Sequence, residues 1–244
     1  MKLSLKVMSA CFVAAMASQA DAVTIHSQDF NANDGGYTVT NVGVVEDPWT
    51  YSGAGPNGSW FTNGTQNQNA PTSSALTSPN INVTSAGPLT LSFLHRYNFE
   101  FDSVGNRWDG GAVFVSVNNG PFNQVPAGSF TTNGYDGVIA GNNALNGLSA
   151  FNSVSGFPGA ETPLPANNGI FITSVATLGT FNLGDTIALR FLGAWDEFVE
   201  GNLPNWEITS LQLDTAASIP EPATALFGVL GLAALAHRRR TVTG

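Results

Sequence analysis

An all-β fold, two antiparallel sheets packed as a sandwich, is what this sequence of 244 residues predicts. Three observations carry it. From Leu89 to Phe101 the residues Leu89, Leu91, Phe93, His95, Tyr97, Phe99 and Phe101 alternate with Thr90, Ser92, Arg96, Asn98 and Glu100. A strand sends successive side chains to opposite faces, so this stretch buries one aromatic face and leaves the other polar. Asn-Gly or Asp-Gly pairs at Asp34-Gly35, Asn57-Gly58, Asn63-Gly64, Asn133-Gly134, Asn146-Gly147 and Asn168-Gly169 then punctuate the chain at the density of sandwich turns. Finally, no long window away from the two ends repeats apolar residues at the helical spacing.

At the N-terminus, Lys2 and Lys6 precede the apolar stretch Val7 to Ala17, and Ala20-Asp21-Ala22 offers a small-x-small cleavage site. These features predict a signal peptide over residues 1–22, cut by signal peptidase at Ala20 and Ala22, with Val23 as the mature N-terminus. Cys11 does not read as a lipoprotein cysteine, because only Val7 to Ala10 separate it from Lys6. It is the chain's one cysteine, so the exported domain forms no disulfide.

Residues 23–217 are the length of one large all-β domain. Their charge is lopsided: Arg96, Arg107 and Arg190 stand against fifteen acids, a balance near −12 with no lysine. Such a surface repels phosphate backbones, which makes nucleic acid and anionic lipid poor partners and leaves cations and neutral sugars.

Within the domain, a strand over Ala112 to Val117 runs into Asn118-Asn119-Gly120, and this turn should close a hairpin onto Phe122 to Val125. Thr186 to Trp195 and Asn205 to Leu213 read as a third strand pair. Gly134 to Gly169 shows little alternation and reads as a long surface excursion. No internal repeat is present.

Acids concentrate where strands should end, and strand-end loops are where binding groups gather. Calcium takes roughly six to eight oxygen ligands, and the candidate sets are Asp29, Asn31 and Asp34 on one side, and Glu100, Asp102, Asp109 and Asp196 on the other. The same acids also read as solvated turn residues, and both readings stand at this point. Trp49, Trp60, Trp108, Trp195 and Trp206 could stack on sugars or fill the core. His95, on the apolar face of its strand, reads as a hydrogen-bonded core histidine. The histidines His26, His95 and His237 are scattered, no His-Glu-x-x-His occurs, and no Gly-x-Ser-x-Gly elbow is found, so the chain is not expected to be an enzyme.

The C-terminus carries Pro220-Glu221-Pro222, an apolar run from Ala223 to Ala236, and then Arg238, Arg239 and Arg240. The prolines hold Glu221 in an extended segment ahead of a hydrophobic helix predicted over 223–236. At 1.5 Å per residue that helix spans about 20 Å against a hydrocarbon core of about 30 Å. Arginines stay on the cytoplasmic side, which places the domain outside the inner membrane. In this order the three parts resemble the PEP-CTERM sorting signal of Gram-negative bacteria, over residues 218–244. The resemblance implies an exosortase as processing partner, transient anchoring in the inner membrane, delivery to the cell surface or beyond, and association with exopolysaccharide and biofilm.

A looser resemblance joins Ser78-Pro79-Asn80-Ile81, His95-Arg96-Tyr97, Asp109-Gly110-Gly111, Gly184-Asp185 with Arg190-Phe191, and Trp206-Glu207-Ile208. Together they are similar to the MAM-like domains appended to secreted bacterial metallopeptidases, which implies a jelly roll over roughly Phe30 to Asp214. Glu100-Phe101-Asp102 resembles the start of the Glu-x-Asp-x-Glu triplet of jelly-roll glycosidases, but Val104 stands where the third acid belongs. The expected role is that of a non-catalytic structural or adhesive envelope or matrix protein. The alternatives are a carbohydrate-binding module and, further off, a secreted hydrolase using a carboxylate pair.

Overall fold

A computed structural model describes residues 22–64, 69–160, 169–197 and 204–216. The strands are β1 (Ala22–Gln28), β2 (Thr38–Val42), β3 (Thr50–Tyr51), β4 (Trp60–Thr62), β5 (Thr72–Thr77), β6 (Ile81–Asn82), β7 (Gly87–Tyr97), β8 (Gly110–Val117), β9 (Asn123–Gln124), β10 (Phe130–Thr132), β11 (Gly137–Val138), β12 (Ser149–Ala150), β13 (Ile172–Phe181), β14 (Thr186–Trp195) and β15 (Trp206–Ala216). The larger sheet runs β10-β13-β7-β15-β4-β3, with β1 also on β15, and the smaller runs β2-β5-β14-β8-β9, with β6 also on β14. The strands of five residues or more, together with the short β4, alternate between the sheets along the chain, from β1 through β2, β4, β5, β7, β8, β13 and β14 to β15. This alternation wraps the chain as an antiparallel jelly-roll sandwich.

The interior is aromatic. Leu89, Leu91, Phe93 and Tyr97 from β7 meet Phe191 and Trp195 from β14 and Trp206, Ile208, Leu211 and Leu213 from β15. The Trp206 ring packs against those of Trp49, Phe99, Phe151 and Phe191. Two glycines make room for the indoles: a Cβ on Gly111 would meet the Trp206 ring, and one on Gly64 the ring of Trp195.

The turn predicted after β8 is present, with Asn118 and Asn119 at φ 51° and 58° and Gly120 N donating to Val117 O. Asparagine tolerates this left-handed region better than most residues, which is why the pair serves there. Three details differ from the sequence reading. β14 and β15 do not pair: β14 joins β5 and β8 in one sheet while β15 joins β7 and β1 in the other. β7 ends at Tyr97 rather than Phe101, because Asn98 N donates to Asn205 O and Phe99 N to Ser153 O, outside the ladder. The stretch from Gly134 onward is also no mere surface loop. β11 pairs with β12, Ile139, Leu145 and Ala150 are buried together, and Phe151 enters the main core.

Among the described residues no helix is long and apolar enough to cross a membrane. The predicted helix over 223–236, Pro220, Glu221, Pro222, Arg238, Arg239, Arg240 and Ala20 lie outside the described residues, whereas Ala22 opens β1.

Candidate functional site

The outward faces of β7 and β15 build a polar groove across the larger sheet. Since alternate residues of β7 face out, Ser92, Leu94 and Arg96 are half-buried while Phe93, His95 and Tyr97 are buried. In β15 a bulge at Thr209, between Ile208 and Ser210 in the pairing with β7, adds a residue to the strand, so that Glu207, Thr209 and Ser210 are all half-buried while Ile208 and Leu211 are buried.

Arg96 and Glu207 oppose one another in the ladder and pair directly: Nη2 and Nε of Arg96 each lie 2.7 Å from Glu207 Oε2. Ser59 Oγ donates to Glu207 Oε1 at 2.9 Å, so both carboxylate oxygens are engaged. Phe171, 42% exposed, lies with its ring centroid 4.9 Å from the Arg96 guanidinium carbon. A cavity of about 560 Å³ opens over this pair, lined also by Asp29, Asn31, Asn57, Gly58, Leu94, Thr209 and Ser210. A second hollow of about 340 Å³ shares Asn57 and Glu207 with it, and a third of about 310 Å³ shares Asp29, Leu94 and Ser210. The first hollow thus adjoins both of the others. An aromatic face beside a guanidinium, a carboxylate and side-chain amides is the mixture of one apolar wall and several fixed polar groups that orients a polyhydroxylated ligand.

The acids named from sequence divide into three environments. In the first, Asp29 Oδ1 accepts from Asn31 N at 3.1 Å, Asp34 Oδ1 from Gly36 N at 2.9 Å, and Asn31 Oδ1 from Gly58 N at 3.2 Å. The two aspartate oxygens each hold a local turn, and Asn31 ties its loop to the one at Gly58. In the second, Asp102 closes its own loop, accepting from Val104 N, Asn106 N, Asn106 Nδ2 and Trp108 Nε1. Desolvation raises its pKa, yet the hydrogen bonds from Asn106, Trp108 and Val104 together hold the carboxyl below its usual range.

In the third, Glu100, Asp109 and Asp196 converge, each offering a carboxylate oxygen within 4.8 Å of the others. Asp109 is fully buried. Burial first, with the charges of Asp196 and Glu100, pushes its carboxyl well above the ordinary value against one hydrogen bond from Asp196 N. Asp102, though only two positions from Glu100, is not part of this group, because the chain has left the β7 ladder at Tyr97.

Four tryptophans, Trp49, Trp60, Trp195 and Trp206, are buried, and Trp108 is half-buried with its N–H on Asp102. The four buried indoles fill the interior, and the aromatic ring lining the central hollow of the groove is Phe171. Sequence reasoning missed this residue and the pairing of Arg96 with Glu207, which stand 111 positions apart. It also missed Asp136, half-buried in the excursion, whose Oδ2 accepts from Tyr97 Oη at 2.8 Å and from Asn152 N at 3.0 Å. Burial pushes the Asp136 carboxyl up, partly offset by those bonds and by Arg107.

No family model matches the chain, and no curated protein matches it in sequence. Among solved structures it is similar to a family 35 carbohydrate-binding module from Paenibacillus barcinonensis, at 17% identity and a TM-score of 0.32, covering 77% of this chain and 97% of that one. It is also similar to the K3 cleaved adhesin domain of Lys-gingipain from Porphyromonas gingivalis, at 15% identity and a TM-score of 0.41, covering 79% and 99%. A family 35 carbohydrate-binding module from Clostridium thermocellum gives 16% identity and a TM-score of 0.32, covering 78% and 98%. TM-scores this low lend these likenesses no weight in assigning a role.

Proposed function

We propose that this chain is an exported, non-catalytic surface module that holds a neutral polysaccharide chain in the groove over β7 and β15. The observation that carries the reading is the run of three adjoining hollows with Phe171 and the Arg96–Glu207 pair at its centre. A sugar ring stacks by its apolar face on Phe171, while its hydroxyls donate to Glu207 and accept from Arg96 and Asn57. Binding here is by shape and hydrogen bonding rather than by charge, in keeping with a domain that carries three arginines and fifteen acids. Glu207 is tied to Arg96 and Ser59, the arrangement of a carboxylate that positions a ligand rather than one that attacks it.

The place of action follows from the tail. Pro220-Glu221-Pro222, the apolar run and Arg238 to Arg240 support recognition by an exosortase after export, and an exopolysaccharide matrix is where a sorted glycan-binding module would act. Intact mass of the surface fraction tests this: a chain beginning at Val23 and ending near Pro220 to Pro222 is expected, and a mass retaining Arg238 to Arg240 would refute sorting by cleavage.

For the groove, retardation of the protein in gels containing a panel of neutral polysaccharides is the direct measurement. Phe171→Ala and Arg96→Ala should each weaken binding by about tenfold or more, since truncating a ring that the ligand covers or a charged hydrogen-bonding group costs about 1.4 kcal/mol or above. Retardation that is equal in wild type and both variants would place the binding elsewhere.

A further inference from the structure

Glu100, Asp109 and Asp196 meet where the ends of three strands converge. Asp109 immediately precedes β8 and Asp196 follows β14, two strands whose ladder ends at Gly110 and Ala194, so both acids stand at the same end of the smaller sheet. Glu100 follows β7 of the larger sheet, and Asn152 ties it in by donating from Nδ2 to both Glu100 O and Asp109 O. The three carboxylates, one oxygen each within 4.8 Å, therefore bridge the two sheets.

A second observation points to a ligand. Asp109 is 0% exposed, its Oδ1 accepts from Asp196 N at 2.9 Å, and its Oδ2 has no hydrogen-bond partner among the described residues. A buried polar oxygen left unpaired costs free energy that a native fold ordinarily avoids. Arginine does not compensate it. Arg96 pairs with Glu207, Arg107 lies over Phe101 and donates to Asp136 O, Arg190 lies over Phe122, and the domain has no lysine.

We infer that Glu100, Asp109 and Asp196 form a calcium site that fastens the end of β7 to the ends of β8 and β14. An all-oxygen set of carboxylates suits a hard divalent cation, and two of the three acids are only half-buried, which leaves the cation a path in and room for waters. The site lies apart from the groove, which Glu100, Asp109 and Asp196 do not line.

Thermal melts of the full chain in EDTA, calcium chloride and magnesium chloride, with calorimetric titration of calcium alone, test it. Calcium at a hundredfold over its dissociation constant should raise Tm by roughly 5 to 10 °C, with magnesium giving much less. Glu100→Gln and Asp196→Asn should each weaken calcium by about tenfold or more, and Asp109→Asn should remove the shift, because each subtracts one charged ligand. Asp34→Asn, whose amide can still accept from Gly36 N, should keep the full shift. Should Asp109→Asn fail to fold, the two half-buried positions carry the test. Coincident melts in EDTA and calcium, an equal shift from magnesium, or a calcium shift unchanged in Glu100→Gln and Asp196→Asn would overturn the site.

Discussion

Strand β7 has two faces that use polar groups in opposite ways. Inward, His95 sits among the rings of Phe93, Tyr97, Phe151 and Trp206 and is fully buried. Trp206 Nε1 donates to His95 Nδ1 at 3.0 Å, the opposite ring nitrogen lies 2.8 Å from Ser174 Oγ, and Ser174 Oγ donates to Asn133 O. An indole N–H can only donate, so Nδ1 is the acceptor, Nε2 carries the proton, and every group in the chain is satisfied. Outward, one residue along, Arg96 pairs with Glu207 at the edge of water. The inner relay is dry and fixed in one arrangement, while the outer pair is wet and has hydrogen-bonding capacity to share with a ligand. Polarity inside the sandwich specifies the fold, and polarity on its outer face is free to serve binding.

The largest effect separating the two faces comes from removing the inner ring. His95→Ala strands the Trp206 N–H without an acceptor and opens a cavity in a close-packed aromatic cluster, an expected loss of about 3 to 5 kcal/mol in chemical denaturation. A loss under about 1 kcal/mol would mean that the relay contributes little more than an exposed polar pair.

Acid should strain the same relay next. Burial pushes the His95 pKa down to about 3 from 6.5, since a charged imidazolium there would lose water and place a second proton against the Trp206 N–H. The unfolded chain therefore takes up a proton near pH 6.5 that the folded chain refuses. The stabilisation is complete above that pH and is lost as pH falls from 6.5 toward 3. At pH 5 wild type should have lost roughly 2 kcal/mol relative to pH 8 from this group alone. The clean readout is the difference between wild type and His95→Phe, because Asp109 and Asp136, with raised carboxyl pKa values, titrate in the opposite sense in both proteins. Parallel pH profiles for the two would contradict the assignment.

What the sequence could announce was local. The alternation from Leu89 to Tyr97 marks a strand with one wet face, and Asn118-Asn119 marks the turn after β8, because both depend on neighbours a few positions apart. The partners of β14 and β15 were not legible: adjacency in sequence suggested a pair, while the wrap of the sandwich sends them to opposite sheets. The acids divide along the same line. Asp34 and Asp102 bond to backbone within four residues, as turn acids do. Glu100, Asp109 and Asp196 are brought together only by the fold, and composition alone could not separate them from Asp102. For the groove, nothing in spacing connects Arg96 to Glu207 or marks Phe171 as its exposed ring.

The smallest expected effect on stability belongs to the outer pair, and it sharpens the contrast between the faces. Arg96 and Glu207 are partly screened, with side chains 25% and 15% exposed, so a double-mutant cycle of Arg96→Ala and Glu207→Ala should return a coupling of about 0.5 to 1 kcal/mol. Raising salt should shrink it further, since water reaches both groups. The cation over Phe171 adds an interaction that Arg96→Lys would keep in part while losing the paired Nε and Nη2 donors that converge on Glu207 Oε2. Wild-type stability in Arg96→Lys together with weakened polysaccharide retardation would then assign Arg96 to recognition. A coupling above about 3 kcal/mol would instead make the outer pair as structural as the inner relay, because only a pair held away from water reaches that size.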